Sequence, residues 1–227
     1  MPRTPTSSSS PASAPQDAAR ELRRATEADV KALSVVLADA FFDDPVYSWL
    51  LPDDGTRHAS LRRFFALELR IFGLDRGVAW TTTELAGAAI STPPGRWRLP
   101  PAAAMKNFRR YRAVFGSPKV AVKAVRYLFK IEKHHLREAH HYIVAVGVAP
   151  ASQGQGLGTR LLGPTLKACD AAGLPGYIEA SSERNRALYE RLGFVTTEEL
   201  YFEDSPPLWL MRREPGATGP ADQDARR

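Results

Sequence analysis

Apolar residues recur at helical spacing in the first part of the chain. Thr26 suits a helix N-cap. Apolar residues after it share one face of the predicted helix: Leu33, Val36, Leu37, Ala40 and Phe41. This pattern predicts a helix over residues 26–42. Similar spacing predicts helices over residues 57–72, 102–115 and 118–136.

Strand-like segments alternate with these helices. They are short, rich in β-branched and aromatic residues, and bounded by turn residues; they cover residues 22–25, 77–82, 87–91, 141–148, 177–179, 194–201 and 207–213. The second and third form a predicted hairpin across residues 83–86. One further helix is expected after residue 158 and another around Asn185. The alternation predicts an α/β fold.

Composition limits how this fold is organised. A chain of 227 residues that is 44% hydrophobic is expected to form one domain. Residues 1–18 and 214–227 are low in apolar side chains, which predicts disordered tails. Apolar runs are too short for a membrane span, and the single cysteine, Cys169, fits a reducing compartment, so we expect a cytoplasmic protein with no membrane partner.

A glycine-rich loop follows the strand at 141–148. Its sequence is Gln153, Gly154, Gln155, Gly156, Leu157, Gly158. Glycines let backbone amides approach a ligand, and a helix N-terminus attracts phosphate groups, so the loop predicts a site for a nucleotide-like anion. A tight turn without a ligand is the alternative. The dinucleotide fingerprint fails because Thr159 stands at its third glycine, and no Gly-Lys-Ser/Thr ends the loop as in a kinase-type phosphate loop.

These residues resemble the GNAT superfamily of N-acetyltransferases. Gln153, Gly156 and Gly158 match its Gln/Arg-x-x-Gly-x-Gly/Ala motif, and the segments around Glu179 and Tyr189 are similar to puromycin N-acetyltransferase and its relatives. The resemblance implies a mixed, largely antiparallel central sheet with helices on both faces and a V-shaped splay between the fourth and fifth strands. It also implies a single acetyltransferase domain over residues 19–213, with a helical insert at about 100–137.

The resemblance further implies acetyl-CoA as the cosubstrate. The loop residues Gln153 to Gly158, with Thr159, would hold the pyrophosphate. The fourth strand would bind the pantetheine arm along Val146, Gly147 and Val148, and Asn185 would contact it from the following helix. Many family members place that Asn seven residues before the Tyr, where this chain has Ser182.

Three residues are candidates for the chemistry. Acetyl transfer needs a donor for the departing thiolate, and the family commonly uses a Tyr at the position of Tyr189. Its alternative role is core packing. Glu179 on the fifth strand is the first candidate for the base and His141 the second, although Glu179 also suits a structural carboxylate and His141 a solvated strand edge. No His, Asp or Cys spacing indicates a metal site.

The acceptor side is predicted between the first two helices, where residues 43–49 are expected to form a loop. Asp43, Asp44, Tyr47 and Trp49 would suit a cationic or aromatic amine. The two carboxylates equally suit a helix end and turn.

Positive charge is concentrated over residues 102–137, which hold ten Lys or Arg and a single acid, Glu132. Six form one stripe: Lys119, Lys123, Arg126, Lys130, Lys133 and Arg137. Val122, Val125 and Phe129 form the expected packed stripe of the same helix. The charged stripe is interpreted as a solvated face, with a phosphate-binding or nucleic-acid face as the alternative.

Together these patterns predict an acetyl-CoA-dependent N-acetyltransferase. Its expected acceptor is the primary amine of a small molecule, such as an antibiotic or other xenobiotic, which would make it an antibiotic-resistance type of enzyme acting by direct transfer. Acetylation of a peptide or protein, acyl-CoA binding without catalysis and nucleic-acid binding remain alternatives. Nucleic acid is not the expected partner, and the sequence leaves a homodimer open.

Overall fold

The computed structural model describes residues 21–219. The predicted tail at 1–18 and most of the predicted tail at 214–227 lie outside this range. One sheet of seven strands organises the domain: β1 (Leu22–Arg24), β2 (Val78–Thr82), β3 (Gly87–Thr92), β4 (His141–Val148), β5 (Gly176–Ala180), β6 (Val195–Leu200) and β7 (Leu208–Arg213). Their order is β1-β2-β3-β4-β5-β7-β6. All neighbours are antiparallel except β4 and β5, which run parallel.

Seven α-helices connect and cover the strands. They are α1 (Val30–Ala40), α2 (Pro45–Leu50), α3 (Asp54–Glu68), α4 (Pro101–Phe115), α5 (Pro118–His134), α6 (Leu157–Ala172) and α7 (Glu183–Glu190). Single 3-10 turns lie at Glu27–Asp29 and Pro150–Ser152, and a π-helical turn over Leu69–Asp75 extends α3. The prediction of an α/β fold with a largely antiparallel sheet is confirmed.

The first helices differ in detail from the prediction. Asp29 accepts from the Thr26 backbone N–H at 2.8 Å and completes a capping box, so a 3-10 turn precedes α1. The predicted loop at 43–49 is wrong, because most of it is helix α2. Asp44 caps that helix by accepting from the amides of Val46 and Tyr47, and Pro45 occupies its first position, where a missing N–H costs nothing.

The sheet carries an apolar core on each face. On one face, α1 and α3 bury Leu33, Leu37 and Phe65. On the other, Leu162 and Leu166 of α6 pack on the apolar side chains of β4 and β5. Each fully buried Leu or Phe contributes about 1.5–3 kcal/mol, so both faces stabilise the sheet. Cys169 of α6 is buried, and burial raises its thiol pKa to about 11, as suits an inert packing residue.

Strands β4 and β5 diverge soon after they begin. Their parallel pairing joins residues 141–143 of β4 to residues 176–178 of β5. β4 runs on to Val148, and its other edge stays paired with β3 as far as Gly87. This is the predicted splay, and it leaves one edge of β4 beyond Ile143 without a strand partner among the described residues.

Helices α4 and α5 lie within the range predicted as a helical insert, and α5 packs with another face than expected. It buries Ala124 and Tyr127, while Val122, Val125 and Phe129 are 60%, 48% and 67% exposed. The expected packed stripe of this helix is therefore wrong. The reason is a tertiary contact: Tyr127 packs edge-on against Trp49 of α2, with ring centroids 5.4 Å apart.

Two further features concern the limits of the domain. Residues 214–219 continue the contacts past the predicted domain end at 213, since the Gly216 amide donates to Asp170 at 2.7 Å. Arg213 pairs with the same carboxylate at 2.6 Å. Within residues 21–219, no helix has the length and apolar character needed to cross a membrane.

Candidate active site

A cavity of about 200 Å³ lies where β4 and β5 diverge. Its floor comes from β4 and β5, and its walls come from α2, α3, α4, α5 and α7. Most of its lining is aromatic or aliphatic: Phe41, Tyr47, Phe64, Phe65, Phe115, Tyr127, Ile131, Tyr142, Val144 and Val146 are examples. Polar groups enter at a few points, among them Glu68, Glu179, Ser181, Asn185 and Tyr189.

Helix α7 brings Asn185 and Tyr189 to the same wall. Ser182 caps the helix, its Oγ accepting from the Asn185 amide at 3.3 Å. Because Asn185 and Tyr189 are four residues apart, they lie on one helix face and both line the cavity. The departure in the Asn spacing thus has a structural reason: the residue seven before the Tyr is used as the cap.

Tyr189 is buried, with 4% of its surface exposed. Burial, with the charges of Asp44 and Glu179, raises its pKa well above the usual range of a phenol. Its hydroxyl therefore keeps its proton at neutral pH and is available as a donor.

Glu179 on β5 faces the cavity with a side chain that is 11% exposed. Its Oε1 is buried without a hydrogen-bond partner in the described part of the chain, as is the Tyr127 hydroxyl. The Nδ1 atom of His135 lies 3.4 Å from Oε1. A buried carboxylate oxygen with free acceptor capacity is the arrangement that a base requires.

The structure does not bring His141 to these residues. It opens β4 and is absent from the cavity lining, whereas the next residue, Tyr142, lines it. Successive side chains of a strand point to opposite faces, which explains the difference. Burial lowers the pKa of His141, but its position does not support the role of base.

The predicted acceptor residues separate into two groups. Tyr47 lines the cavity, and Asp44 lies behind it, accepting from the Ser181 hydroxyl through a very short hydrogen bond. Asp43 is exposed, and Trp49 lies outside the lining. Trp49 instead carries the Lys123 ammonium 3.6 Å from its ring centroid and donates to Asp204 at 3.0 Å. Asp43 and Trp49 are therefore not brought to the cavity.

Sequence reasoning missed Glu68, a buried acid in the cavity wall. It is 6% exposed and accepts from the Tyr111 hydroxyl at 3.0 Å. Burial raises its pKa to about 7, against the lowering effect of the Tyr111 hydrogen bond. The signal was present in the sequence, because Glu68 follows Leu61 and Phe65 on the apolar face of the second predicted helix.

The glycine loop leads into α6 with open backbone. Gly154 and Gly156 have φ values of 75° and 74°, and no atom lies within 4 Å of the position a Cβ would take at either residue. Gly158 and the exposed Thr159 belong to the first turn of α6, whose amides lack intrahelical acceptors. The Leu157 side chain is buried, so only its backbone is available to a ligand. The side-chain amide of Gln153 donates to the Val148 carbonyl at 3.1 Å.

The arrangement fits the chemical parts of acetyl-CoA. An anion would meet the α6 N-terminus, and an extended amide-bearing arm would meet the unpaired edge of β4 at Val146 to Val148. Gly147 has its Cα toward α1, where a Cβ would come 2.7 Å from Leu37. Its lack of a side chain thus permits helix packing, and its backbone remains part of the strand edge.

Comparison with known proteins agrees with this geometry. The family model described as Acetyltransferase (GNAT) family matches residues 37–194. The chain belongs to the GNAT acetyltransferase family. It is an acyltransferase with the GNAT fold, and the family generally uses acetyl-CoA.

Three similar proteins illustrate the range of this GNAT family. An uncharacterized N-acetyltransferase of Schizosaccharomyces pombe is 27% identical over 225 residues, which cover 90% of this chain and 87% of the relative. A Corynebacterium glutamicum structure described as histone acetyltransferase HPA2 and related acetyltransferase has a TM-score of 0.65 at 24% identity, covering 86% of this chain and 96% of its own. Arylalkylamine N-acetyltransferase 2 of Aedes aegypti has a TM-score of 0.58 at 14% identity, covering 86% and 98%.

Proposed function

We propose that this protein transfers acetyl from acetyl-CoA to the primary amine of a small molecule that carries an apolar or aromatic group. The observation that carries the proposal is the cavity itself. Helices α2, α4 and α5 wall it in, and its surface is mainly aromatic. These helices enclose the cavity, whereas an extended peptide would need an open groove. The enclosure favours a small acceptor.

The charge of the cavity favours an amine that arrives as an ammonium ion. Glu179 lines it, Asp44 lies directly behind Ser181, and no Lys or Arg of the described residues lines it. In a poorly hydrated site, carboxylates attract a cation more strongly than in water. The aromatic rings of Tyr47, Phe64 and Phe65 would contact the rest of the acceptor.

The proposed reaction is direct. Glu179 takes a proton from the ammonium group, and the neutral amine nitrogen attacks the thioester carbonyl. The new C–N bond forms, the C–S bond breaks, and the Tyr189 hydroxyl donates to the departing sulfur. The amine nitrogen loses its second proton as the amide forms, and that proton restores the Tyr189 hydroxyl. The products are an N-acetyl amide and the free thiol, and one proton leaves the site for each ammonium consumed.

The cofactor side of the proposal uses the predicted residues. Backbone amides around Gly154, Gly156 and Gly158 would bind the pyrophosphate, assisted by Gln153, Gln155 and Thr159, and Asn185 would hydrogen-bond the pantetheine arm. The α6 N-terminus supplies the favourable dipole. The open space beside Gly154 and Gly156 supports this role.

The identity of the acceptor has alternatives. Fold neighbours are named for histone and for arylalkylamine acetylation, so the acceptor has to be argued from this cavity. Puromycin is a suitable first acceptor, because its amine is attached to a large aromatic molecule and the motifs around Glu179 and Tyr189 resemble that subgroup. An antibiotic-resistance role would follow only from activity of that kind.

Calorimetric titration with acetyl-CoA, followed by an amine panel, tests the proposal. The panel contains puromycin, an arylalkylamine, an aliphatic diamine and a peptide with a free N-terminus, with release of the thiol as the readout. We expect micromolar binding of acetyl-CoA and preference for an aromatic amine. Preference for the peptide would reject the small-molecule assignment, and binding with no turnover on any amine would favour an acyl-CoA-binding role.

A further inference from the structure

Two buried histidines lie between the proposed base and the exposed residue Glu138. His135 follows α5 and His140 precedes β4, and they are 3% and 1% exposed. Their Nε2 atoms are 3.0 Å apart. On one side His135 Nδ1 approaches Glu179 Oε1 at 3.4 Å, and on the other His140 Nδ1 lies 2.7 Å from the Glu138 carbonyl oxygen.

The hydrogen bonds assign the protons on this line. A carbonyl oxygen only accepts, so Nδ1 of His140 carries hydrogen. Burial, reinforced by the nearby His135, lowers the pKa of His140, which makes it a neutral imidazole whose Nε2 accepts. Nε2 of His135 must then be the donor.

The remaining nitrogen faces the base. If His135 is neutral, its Nδ1 carries a lone pair toward Glu179, and two acceptors face each other at 3.4 Å. One additional proton resolves the contact, as a carboxylic acid beside imidazole or as a carboxylate beside imidazolium. A small movement brings the two atoms within hydrogen-bond reach, and catalytic hydrogen bonds are often long before the substrate binds.

Aromatic and titratable side chains pack around the two rings. Trp97 stacks on His135 with centroids 3.7 Å apart and an interplanar angle of 23°. The titratable side chains that face His135 are Glu179 and Tyr177 of β5, Tyr142 of β4 and His140 itself. Both tyrosines have raised pKa values, because they are buried and lie near the Glu179 charge, so they stay neutral. His140 faces Tyr177 and the exposed loop that contains Glu138.

We propose that His135 and His140 form a proton relay that carries the ammonium proton from Glu179 to the surface loop at Glu138. The inference rests on the proposed function. Glu179 accepts the proton from the ammonium nitrogen and passes it to Nδ1 of His135. His135 releases the proton on Nε2 to His140, and His140 gives up the proton on Nδ1 to water once its hydrogen bond to the Glu138 carbonyl opens, since that carbonyl cannot take the proton. Rotation of the two rings then restores the starting tautomers. One proton crosses, and no electron pair is gained or lost.

The relay has a functional purpose in this cavity. An alkyl ammonium keeps its proton at neutral pH, since its pKa is about 10. The aromatic walls of the cavity give the removed proton few acceptors. A Glu179 that stayed protonated could not take a proton from the next ammonium ion. A path to solvent behind the base restores the carboxylate without opening the cavity.

The test compares pH–rate profiles of His135→Gln and His140→Gln with the unmutated protein. Glutamine keeps hydrogen-bonding capacity but does not pass a proton through a ring. The matched control is His134→Gln, because His134 is a neighbouring histidine bound to Glu198 at the surface. Acetyl-CoA titration of each variant checks that the fold and the cofactor site persist.

We expect kcat/KM for a primary alkylamine to fall about tenfold to a hundredfold near pH 7 in both relay variants. The loss should shrink as pH approaches the pKa of the amine, about 10, because the amine then arrives without its extra proton. The control should keep the profile of the unmutated protein. A loss by the same factor at every pH would assign the pair a structural role and overturn the relay.

A second readout does not depend on turnover. Nitrogen-15 histidine spectra should show hydrogen on Nδ1 and none on Nε2 of His140, with hydrogen on Nε2 of His135. The opposite tautomers would refute the line. If the unmutated protein acetylates no amine, the proposed function fails, while the spectra still decide whether the two rings are connected as proposed.

Discussion

At the scale of single residues, the cavity is defined by buried groups whose protonation differs from that in water. Tyr189 keeps its proton because burial and nearby carboxylates disfavour the phenolate. Glu68 takes up a proton far more readily than an exposed carboxylate does. Both effects follow from burial, and each has a measurable consequence.

Tyr189→Phe removes the donor and keeps the ring. We expect kcat to fall by about one to two orders of magnitude, since the hydroxyl acts only as the sulfur departs, while the Kd for acetyl-CoA stays within a factor of about two. Steady-state kinetics and calorimetry measure the two quantities. Tyr201→Phe is the control, because Tyr201 is 55% exposed and its hydroxyl contacts only the surface residue Glu199. Unchanged turnover in Tyr189→Phe would remove the donor role.

Glu68→Gln tests the buried acid through the pH dependence of stability. The folded pKa of Glu68, about 7, exceeds its ordinary value of 4.5, so the folded state holds a proton that the unfolded state has lost. The free energy of unfolding should therefore decrease as pH rises from about 4.5 to about 7, by about 3 kcal/mol in total. Above that range the loss is complete.

Urea unfolding at several pH values measures this effect. Glu68→Gln should lack the decrease, because the amide cannot ionise and still accepts from Tyr111. Glu132→Gln is the control, since Glu132 forms an ion pair with Arg98 at the surface. Parallel curves for the unmutated protein and Glu68→Gln would show that Glu68 is ionised or screened in the folded state.

Several of these residues illustrate what sequence can predict. The glycine loop follows from local sequence, because it is specified by neighbours within one turn, whereas Tyr189 and Asn185 were predicted from the resemblance to the GNAT superfamily. His135 and His140 meet the site only through tertiary packing, so no local spacing indicates them, whereas the helical spacing of Glu68 after Leu61 and Phe65 did carry a signal. Asp44 was predicted for its charge, and the structure gives that charge a second use as the cap of α2.

At the scale of elements, the N-terminus of α6 is the part proposed to bind an anion. Gly156 is the N-cap and has a left-handed backbone. The strand and helix order could be predicted from hydrophobic periodicity, whereas α2 could not, since six residues are too few to show a period. The buried face of α5 also could not be predicted, because Tyr127 is buried through its contact with Trp49, which belongs to a helix distant in sequence.

A pair of variants at Gly156 separates charge from conformation. Asn tolerates the left-handed backbone better than most residues, and Asp has nearly the same shape with a negative charge. We expect Gly156→Asp to weaken acetyl-CoA binding about tenfold relative to Gly156→Asn, which corresponds to about 1.4 kcal/mol. Calorimetry measures both affinities. Equal affinities would mean that the cofactor pyrophosphate lies elsewhere.

At the scale of the whole molecule, the two parts of the sheet are joined at β4 and β5. A ligand that binds across this junction stabilises only the folded state. At a concentration of 100 times its Kd, acetyl-CoA should add about 2.7 kcal/mol, which raises Tm by roughly 5–10 °C for a domain of this size. Scanning calorimetry with and without ligand measures the shift. Gly156→Asp should show a smaller shift at the same concentration, and a full shift in that variant would argue against the loop as the binding site.

The short β4–β5 ladder also bears on which parts of the protein unfold together. Only three residue pairs connect β1–β4 to β5–β7 through the sheet. Regions with few mutual hydrogen bonds open as separate cooperative units, and such units are detected by native-state hydrogen exchange. The segment from β5 to β7, which carries Glu179 and Tyr189, would then exchange its amides as a unit separate from β1–β4. The residues proposed for catalysis thus belong to one unit, and an arm bound along β4 would couple its opening to that of the other.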